Sequence, residues 1–158
     1  MTTPATDSQK VTLGTSLEVP TGRSMKYRFQ VVETHLDIFG HMNNATYLRI
    51  FEEARWDFIS QAGYGLPKIL QSQLGPVVLE VNVKFKKELR NREIVTIESV
   101  CTDYVKKVAK LTQVMRNEQG EDCCQADFVF GLFDLKARKL VMPTPEWLQA
   151  VGLTAPAI

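Results

Sequence analysis

A carboxylate and the start of a helix lie close together in the first third of the chain, at Asp37 and at Asn43 and Asn44. Asp37 falls in a turn, and the two asparagines precede a helical pattern. Free backbone N–H groups at a helix N-terminus can hold a developing negative charge. An ionised carboxylate beside them can attack a carbonyl carbon or activate a water molecule. Acyl transfer needs both functions, so this segment indicates acyl-transfer chemistry with Asp37 as nucleophile or general base.

The same residues also have a purely structural explanation. Asp37 at the first and Gly40 at the fourth position suit a type I turn, and Asn is a favoured helix N-cap. The side chains of Asn43 and Asn44 are interpreted largely as such caps. Because the chemistry would use a backbone amide, replacement of these side chains is expected to have a mild effect.

A metal site is a second chemical alternative at this segment. Two histidines and a carboxylate, such as His35, Asp37 and His41, can bind zinc or iron. The chain has no other histidine, and nothing in the sequence supplies the hydrogen-bond partners that orient such ligands. We therefore predict no metal: His41 shapes the turn or contacts the substrate, and His35 is a strand-end residue.

Composition and charge narrow the class of protein. The chain has 158 residues, the size of one domain, and a formal net charge of +1. This charge gives no electrostatic case for binding nucleic acid or an anionic membrane, and no apolar run is long enough to span a bilayer. The N-terminus lacks the pattern of a secretory signal, and the three cysteines form no disulfide framework. The sequence therefore predicts a cytoplasmic protein with no membrane or nucleic-acid partner.

The hydrophobic pattern predicts one domain at residues 25–150, between a flexible extension at residues 1–24 and a tail at residues 151–158. A first strand begins at Met25, and an amphipathic helix follows Asn44, with Leu48 on its apolar face. Gly63, Gly65 and Pro67 are interpreted as the stop of this helix.

Four more strands are predicted after the helix, as an antiparallel meander with a turn near Asp103 and a hairpin at residues 117–122. One face of the first of these strands is predicted to carry Val77, Leu79, Val81, Val83 and Phe85. A short helix starting at Pro145 closes the domain. The lone long helix must bury its apolar side against the sheet. The expected fold is therefore α+β, with an antiparallel sheet of about five strands curved around one helix.

The segment at residues 37–48, DIFGHMNNATYL, followed by FEEAR at residues 51–55, resembles the 4-hydroxybenzoyl-CoA thioesterase-like branch of the hotdog-fold superfamily. That branch has the pattern D-x-x-G-H-[VM]-N-N-x-x-Y and then a helix with E-x-A-R. The resemblance covers residues 25–150. It implies a hotdog fold and hydrolysis of an acyl-CoA thioester in a homodimer or homotetramer, without a cofactor or metal.

Residue roles follow from the resemblance one by one. The catalytic carboxylate corresponds to Asp37, and the amide that holds the oxyanion corresponds approximately to the backbone N–H of Asn44. Further candidates for substrate binding are His41, Asn43, Tyr47, Lys86, Lys87 and Arg90. Tyr47 is either a core aromatic or a residue that lines the acyl pocket. The basic residues form either a solvated strand edge or contacts to the CoA phosphates.

Two other functions stay open. Relatives with the same fold include hydratases and dehydratases that act on acyl thioesters, although these use a differently spaced Asp and His. A non-catalytic module that binds an acyl ligand would also fit a helix packed on a sheet. Release of free thiol from acyl-CoA esters would distinguish hydrolysis from both alternatives.

Overall fold

The computed structural model describes residues 22–153, so residues 1–21 of the predicted extension and residues 154–158 of the predicted tail lie outside the described residues. Its strands are β1 (Met25–Gln30), β2 (Leu74–Phe85), β3 (Ile94–Val105), β4 (Val108–Asn117), β5 (Asp122–Asp134) and β6 (Lys139–Val141). Its helices are α1 (Asn44–Gln61), α2 (Leu66–Ser72) and α3 (Pro145–Ala150). No helix among these residues is long and apolar enough to cross a membrane.

Helix α1 starts where the sequence predicts and is the long helix of the fold. The side chain of Asn43 accepts a hydrogen bond from the Ala45 N–H and so caps the first turn. After the helix, Gly63 adopts a φ of +82°, a conformation that suits glycine. The buried face of α1 packs towards β1 and β3 and carries Tyr47, Ile50, Phe51, Ala54, Phe58 and Ile59. Leu48 was predicted on this face, but 38% of it is exposed, so that assignment is wrong.

The sheet is antiparallel, with the strand order β1-β3-β4-β5-β2 and with β6 paired to β5. The predicted α+β hotdog fold is confirmed, with six strands in place of about five. The four strands after α1 are not a simple meander, because β2 pairs with β5 and lies at the edge opposite β1. The strands from β3 to β6 follow one another as hairpins.

A β-bulge in β2 changes which residues face the helix. The pairing register shifts between Val78 and Glu80, so that Leu79 has no partner on β5. Cross-strand partners share a face of the sheet, and the β5 partners are the buried residues of the core. The helix side of β2 therefore carries Pro76, Val78, Val81, Val83 and Phe85. Val77 and Leu79 were predicted on the same face as Val81; this is wrong for Val77, which precedes the bulge and alternates with Pro76 and Val78, and Leu79 is the bulge residue itself.

Three further elements differ from the sequence prediction. Gly65 and Pro67 were interpreted as a stop, but they also start α2, because proline fits the first turn of a helix. The turn after β3 lies at residues 106–107, and the irregularity near Asp103 is a bulge within the strand. The three-residue strand β6 was not predicted. Val151 is buried and Leu153 packs against the core, so the compact structure continues past residue 150.

A buried polar network fixes α1 on the sheet. The Nη1 of Arg55 donates to Gln113 Oε1 at 2.9 Å, and the Arg55 guanidinium lies 4.2 Å from the centroid of the Phe128 ring. The Nε2 of Gln113, which is fully buried, donates to Ser99 Oγ and to the carbonyl of Phe51 in α1. Burial lowers the pKa of Arg55 to about 10, which leaves it charged at neutral pH. The network thereby links the middle of α1 to β3 and β4.

We expect Gly131→Ala to destabilise the fold, because a Cβ at Gly131 would lie 2.6 Å from the Lys107 carbonyl oxygen and 2.8 Å from Leu140 Cδ2. Overpacking of this kind costs about 1–3 kcal/mol of unfolding free energy. The free energy of unfolding of each variant is measured by urea denaturation. The matched control is Gly75→Ala, where the nearest atom is a side-chain methyl of Ile69 at 3.3 Å. Equal stability of the two variants would contradict the prediction.

Candidate active site

Asp37 is held in a short hairpin directly before α1. The Gly40 N–H donates to the Asp37 carbonyl at 3.0 Å, and the Asp37 N–H donates to the His41 carbonyl at 2.9 Å. Gly40 has a φ of +76°, which explains a glycine at this position. The Asp37 carboxylate accepts the Phe39 N–H through Oδ1 at 2.8 Å. Among residues 22–153, Oδ2 has no hydrogen-bond donor, so one carboxylate oxygen is available to a ligand.

The first turn of α1 presents one open backbone donor. The Ala45 N–H is taken by the side-chain oxygens of Asn43 and Asn44, each at 2.9 Å, and the N–H groups of Thr46 and Tyr47 reach the Asn43 carbonyl. The Asn44 N–H has no acceptor within the part of the chain that the structure describes. A free N–H at the positive end of an 18-residue helix suits a negatively charged oxygen.

Asp37 and Asn44 line the same cleft, which has a volume of about 360 Å³. This volume lies in the usual range of small-molecule sites. The cleft residues are Asp37, His41, Met42, Asn44, Tyr47, Phe85, Lys86, Lys87 and Glu88. Of the candidates from the sequence, Asn43 and Arg90 are not on this lining. Asn43 serves as the helix cap, and the backbone of Arg90 forms a bridge with His41.

Three residues of the cleft were missed by sequence reasoning. Met42 and Phe85 carry no chemical signal in the sequence, because they contribute only apolar surface. Glu88 was not among the candidates from the sequence, although its charge was an available signal. Its Oε2 lies 3.1 Å from His41 Nε2, and its Oε1 accepts from Arg90. The hydrogen bond from Arg90, followed by the charges of Arg90, His41 and Lys87, lowers the pKa of Glu88.

Lys86 and Lys87 at the cleft, and Arg90 outside its lining, each face a carboxylate. Lys86 Nζ lies 3.5 Å from Asp122 Oδ2, and Lys87 forms an ion pair with Glu121 that raises the lysine pKa. Arg90 is paired with Glu88 in the same way. These pairs are exposed, so each is weak and a phosphate could compete for the cation. A contact between this cluster and the CoA phosphates therefore stays a prediction.

Tyr47 combines both interpretations that the sequence left open. It is 4% exposed and packs edge-on against Phe85 at 5.2 Å between ring centroids, yet it lines the cleft. Burial raises the pKa of Tyr47 to about 12, so its hydroxyl stays protonated at neutral pH.

The contacts of His35, Cys123 and Cys124 indicate structural roles for these residues. The Nδ1 of His35 accepts the Val32 N–H at 3.2 Å, and its ring packs on Phe29. No cluster of three or more His, Cys, Asp or Glu within residues 22–153 could hold a metal ion. Cys123 and Cys124 are fully buried, and burial raises the pKa of both thiols, so they are poor nucleophiles.

An apolar strip leads away from the cleft along the helix side of β2. It begins at Phe85, which is 56% exposed, and continues through Val83 and Val81 to Val78, which is 44% exposed. Phe85 contacts Tyr47 of α1 and Val83 packs against the core, but Val78, Val81 and Phe85 all keep exposed surface. The strip forms a continuous apolar surface between α1 and the edge of the sheet.

Comparison with known proteins identifies the family. The family model described as the thioesterase-like superfamily matches residues 31–152. The chain belongs to this superfamily. It is 30% identical over 116 residues to the long-chain acyl-CoA thioesterase FadM of Escherichia coli strain K12, which covers 73% of this chain and 87% of FadM. The prediction of a thioesterase with a hotdog fold is therefore confirmed at the level of the superfamily.

Two solved structures show the same fold. The probable thioesterase YbaW of Escherichia coli superposes with a TM-score of 0.73 at 28% identity, over 81% of this chain and 96% of YbaW. The hypothetical protein SAV2348 of Staphylococcus aureus, solved in complex with CoA, has a TM-score of 0.77 at 16% identity, over 87% of this chain and 90% of that protein.

Proposed function

We propose that this protein hydrolyses acyl-CoA thioesters in the cleft between Asp37 and the N-terminus of α1. The observation that carries the proposal is that a free carboxylate oxygen of Asp37 and the open N–H of Asn44 belong to one cleft. The motif at residues 37–48, which resembles that of the 4-hydroxybenzoyl-CoA thioesterase-like branch, supports the same two roles. The action of FadM on acyl-CoA and the CoA bound to SAV2348 support the choice of CoA as thiol carrier.

The geometry suits thioester cleavage with few groups. The carbonyl oxygen binds at the Asn44 N–H, where the helix dipole stabilises the charge that develops as the carbonyl carbon becomes tetrahedral. Asp37 either attacks this carbon, which gives an anhydride that water then hydrolyses, or removes a proton from an attacking water. The thiol leaving group has a pKa near 8.5, about that of free cysteine. It can therefore leave as a thiolate, without a strong general acid.

The acyl group is proposed to be a long aliphatic chain. The strip from Phe85 to Val78 offers an apolar lane next to the cleft, and the burial of each methylene on such a surface contributes about 0.8 kcal/mol. The substrate class of FadM is in accord with this assignment.

The protein is also proposed to form a homodimer through the free edge of β2. The edge strand β1 has six residues and carries Lys26 and Arg28 on its exposed face, a common protection against edge pairing. In contrast, β2 has 12 residues and exposes Val78, Leu79, Val81 and Phe85. A long apolar edge of this kind is suited to pairing with a second copy of the chain. A tetramer would require a further surface.

A cytoplasmic location stays a prediction. Within the described residues, Cys101, Cys123 and Cys124 are buried and unpaired, which supports a reducing compartment.

We expect Asp37→Asn to lower kcat for acyl-CoA hydrolysis by about 100-fold or more, the scale of a lost positioned base or nucleophile. The asparagine Oδ1 can still accept the Phe39 N–H, so the hairpin should persist. Thiol release from palmitoyl-CoA, followed with a thiol reagent, measures activity, and thermal unfolding checks the fold. Wild-type activity in a folded Asp37→Asn variant would refute the role of Asp37.

We expect Asn44→Pro to lower kcat by about 100-fold or more, because it removes the proposed oxyanion donor. Proline is favoured at the first helical position, and Asn43, with φ −64° and ψ 142°, has the extended backbone that a following proline requires. The matched control is Asn44→Ala, which keeps the N–H and should stay within about tenfold of wild type. Equal activity of the two variants would exclude this amide as the donor.

We expect Leu79→Lys to convert the proposed dimer into a monomer, because it places a charge on the β2 edge. The matched control is Leu70→Lys, on α2, where the leucine is 60% exposed. Sedimentation velocity distinguishes the two states. A monomeric wild type, or a Leu79→Lys dimer, would argue against the β2 interface.

A further inference from the structure

A small apolar cavity lies at the end of the strip that is farther from Asp37. It has a volume of about 50 Å³, and partly exposed Trp56 of α1 and Val78 of β2 stand at its rim. Its buried walls include Ile59, Phe128, Phe130 and Trp147. An apolar cavity of about 150 Å³ can hold benzene. This smaller cavity is therefore too tight for an aromatic ring and suits the end of a straight alkyl chain.

The polar residue on the lining does not change this character. Arg55 lies at the cavity, but its guanidinium stacks on the Phe128 ring at 4.2 Å and donates to Gln113 Oε1. Almost none of the cavity surface is polar, so Arg55 presents mainly the apolar atoms of its side chain there. A hydroxyl or carboxylate at the end of an acyl chain would lose its hydrogen bonds to water on entering such a cavity, so the cavity favours an unsubstituted hydrocarbon end.

The cavity is at a defined distance from the proposed oxyanion donor. Asn44 begins α1, and Arg55 lies 11 positions further along the same helix, a distance of about 17 Å at the α-helical rise. An extended alkyl chain with bonds of ~1.5 Å advances about 1.25 Å per carbon. A chain that starts at the Asn44 N–H and follows the strip would thus reach the cavity after about 13 carbons.

We propose that the indole of Trp147 is the end wall of the acyl groove and sets the preferred chain length; this rests on the proposed function. Trp147 projects from α3, which starts at Pro145 and is capped by the Thr144 side chain. Its Nε1–H donates to the Tyr104 hydroxyl at 3.2 Å, and its ring packs edge-on against Tyr64 at 4.9 Å. Only 1% of the residue is exposed, so the indole is held rigidly and cannot swing away from a longer chain.

The test is the chain-length profile of Trp147→Phe, which shortens the wall and keeps an aromatic ring in the core. The kcat/KM is measured for saturated esters from octanoyl-CoA to stearoyl-CoA. We expect the ratio of stearoyl-CoA to dodecanoyl-CoA to rise about tenfold or more, since one methylene that fits or clashes in a hydrophobic pocket changes specificity by this amount. A general loss of stability would lower kcat/KM for all substrates by the same factor and leave the ratio unchanged.

Two further variants test whether a change in chain-length preference arises at the cavity rather than from altered stability. Val78→Phe narrows the rim, and it should shift the optimum towards shorter chains; sedimentation velocity checks that this variant keeps the oligomeric state of the wild type. Ile97→Val removes one methylene from the core on β3, away from the cavity lining. It should weaken the fold slightly and keep the wild-type ratio.

The outcomes separate the end wall from the activity. If wild type hydrolyses acyl-CoA but neither Trp147→Phe nor Val78→Phe moves the profile, the end wall is refuted and the thioesterase function stands. If wild type releases no thiol, the proposed function fails. The role of Trp147 as end wall is then tested by calorimetry, which measures the affinity of the protein for free fatty acids of the same chain lengths. A longer preferred fatty acid in Trp147→Phe would support it. An unchanged preference, or no binding by wild type, would overturn it.

Discussion

The candidate site depends on the hydrogen bonds that hold the segment before α1 in place. The Asn43 N–H donates to the His35 carbonyl at 2.9 Å, so the chain closes on itself around the hairpin that carries Asp37. The Met42 N–H donates to the Leu89 carbonyl at 2.8 Å, which ties this segment to the connection between β2 and β3. A backbone fixed at both points has little freedom to move the carboxylate relative to the first turn of the helix. Such preorganisation is what electrostatic stabilisation of an oxyanion requires.

The position of α1 itself is set further along the helix. Arg55 and Gln113 connect the middle of α1 to the sheet through hydrogen bonds to each other, to the Phe51 carbonyl and to Ser99. Within residues 22–153, no buried side-chain nitrogen or oxygen lacks a hydrogen-bond partner. A charged group in this location is tolerable because it donates a hydrogen bond to Gln113 and its face rests on Phe128. The same arrangement keeps an arginine beside an apolar cavity without making the cavity polar.

Local signals in the sequence were sufficient for several elements. The cap at Asn43, the turn that ends at Gly40, the hairpin at residues 117–122 and the helix that starts at Pro145 all depend on neighbouring residues, and the structure confirms them. These features are predictable because turn and cap residues act through hydrogen bonds to their own segment.

Features that depend on distant parts of the chain were harder to predict. The pairing of β2 with β5 joins segments separated by β3 and β4, and no local pattern encodes that choice. Phe85, at the end of β2, meets Asp37 only through the folded chain, whereas Met42 belongs to the same hairpin as Asp37. The motif nominated Asp37 and Asn44 as candidates, and the fold was then needed to find the apolar surface beside them.

The bulge at Leu79 has a consequence for how variation in this protein could be tolerated. Side chains alternate between the two faces along a strand. The unpaired residue therefore interrupts this alternation between the two halves of β2. Deletion of one residue there would restore regular alternation, and the side chains of one half of the strand would then point to the opposite face of the sheet. Pro76 and Val78 would then leave the groove, and their neighbours would enter it. Insertions and deletions at this point would thus be far more disruptive to ligand selection than substitutions of one apolar residue for another.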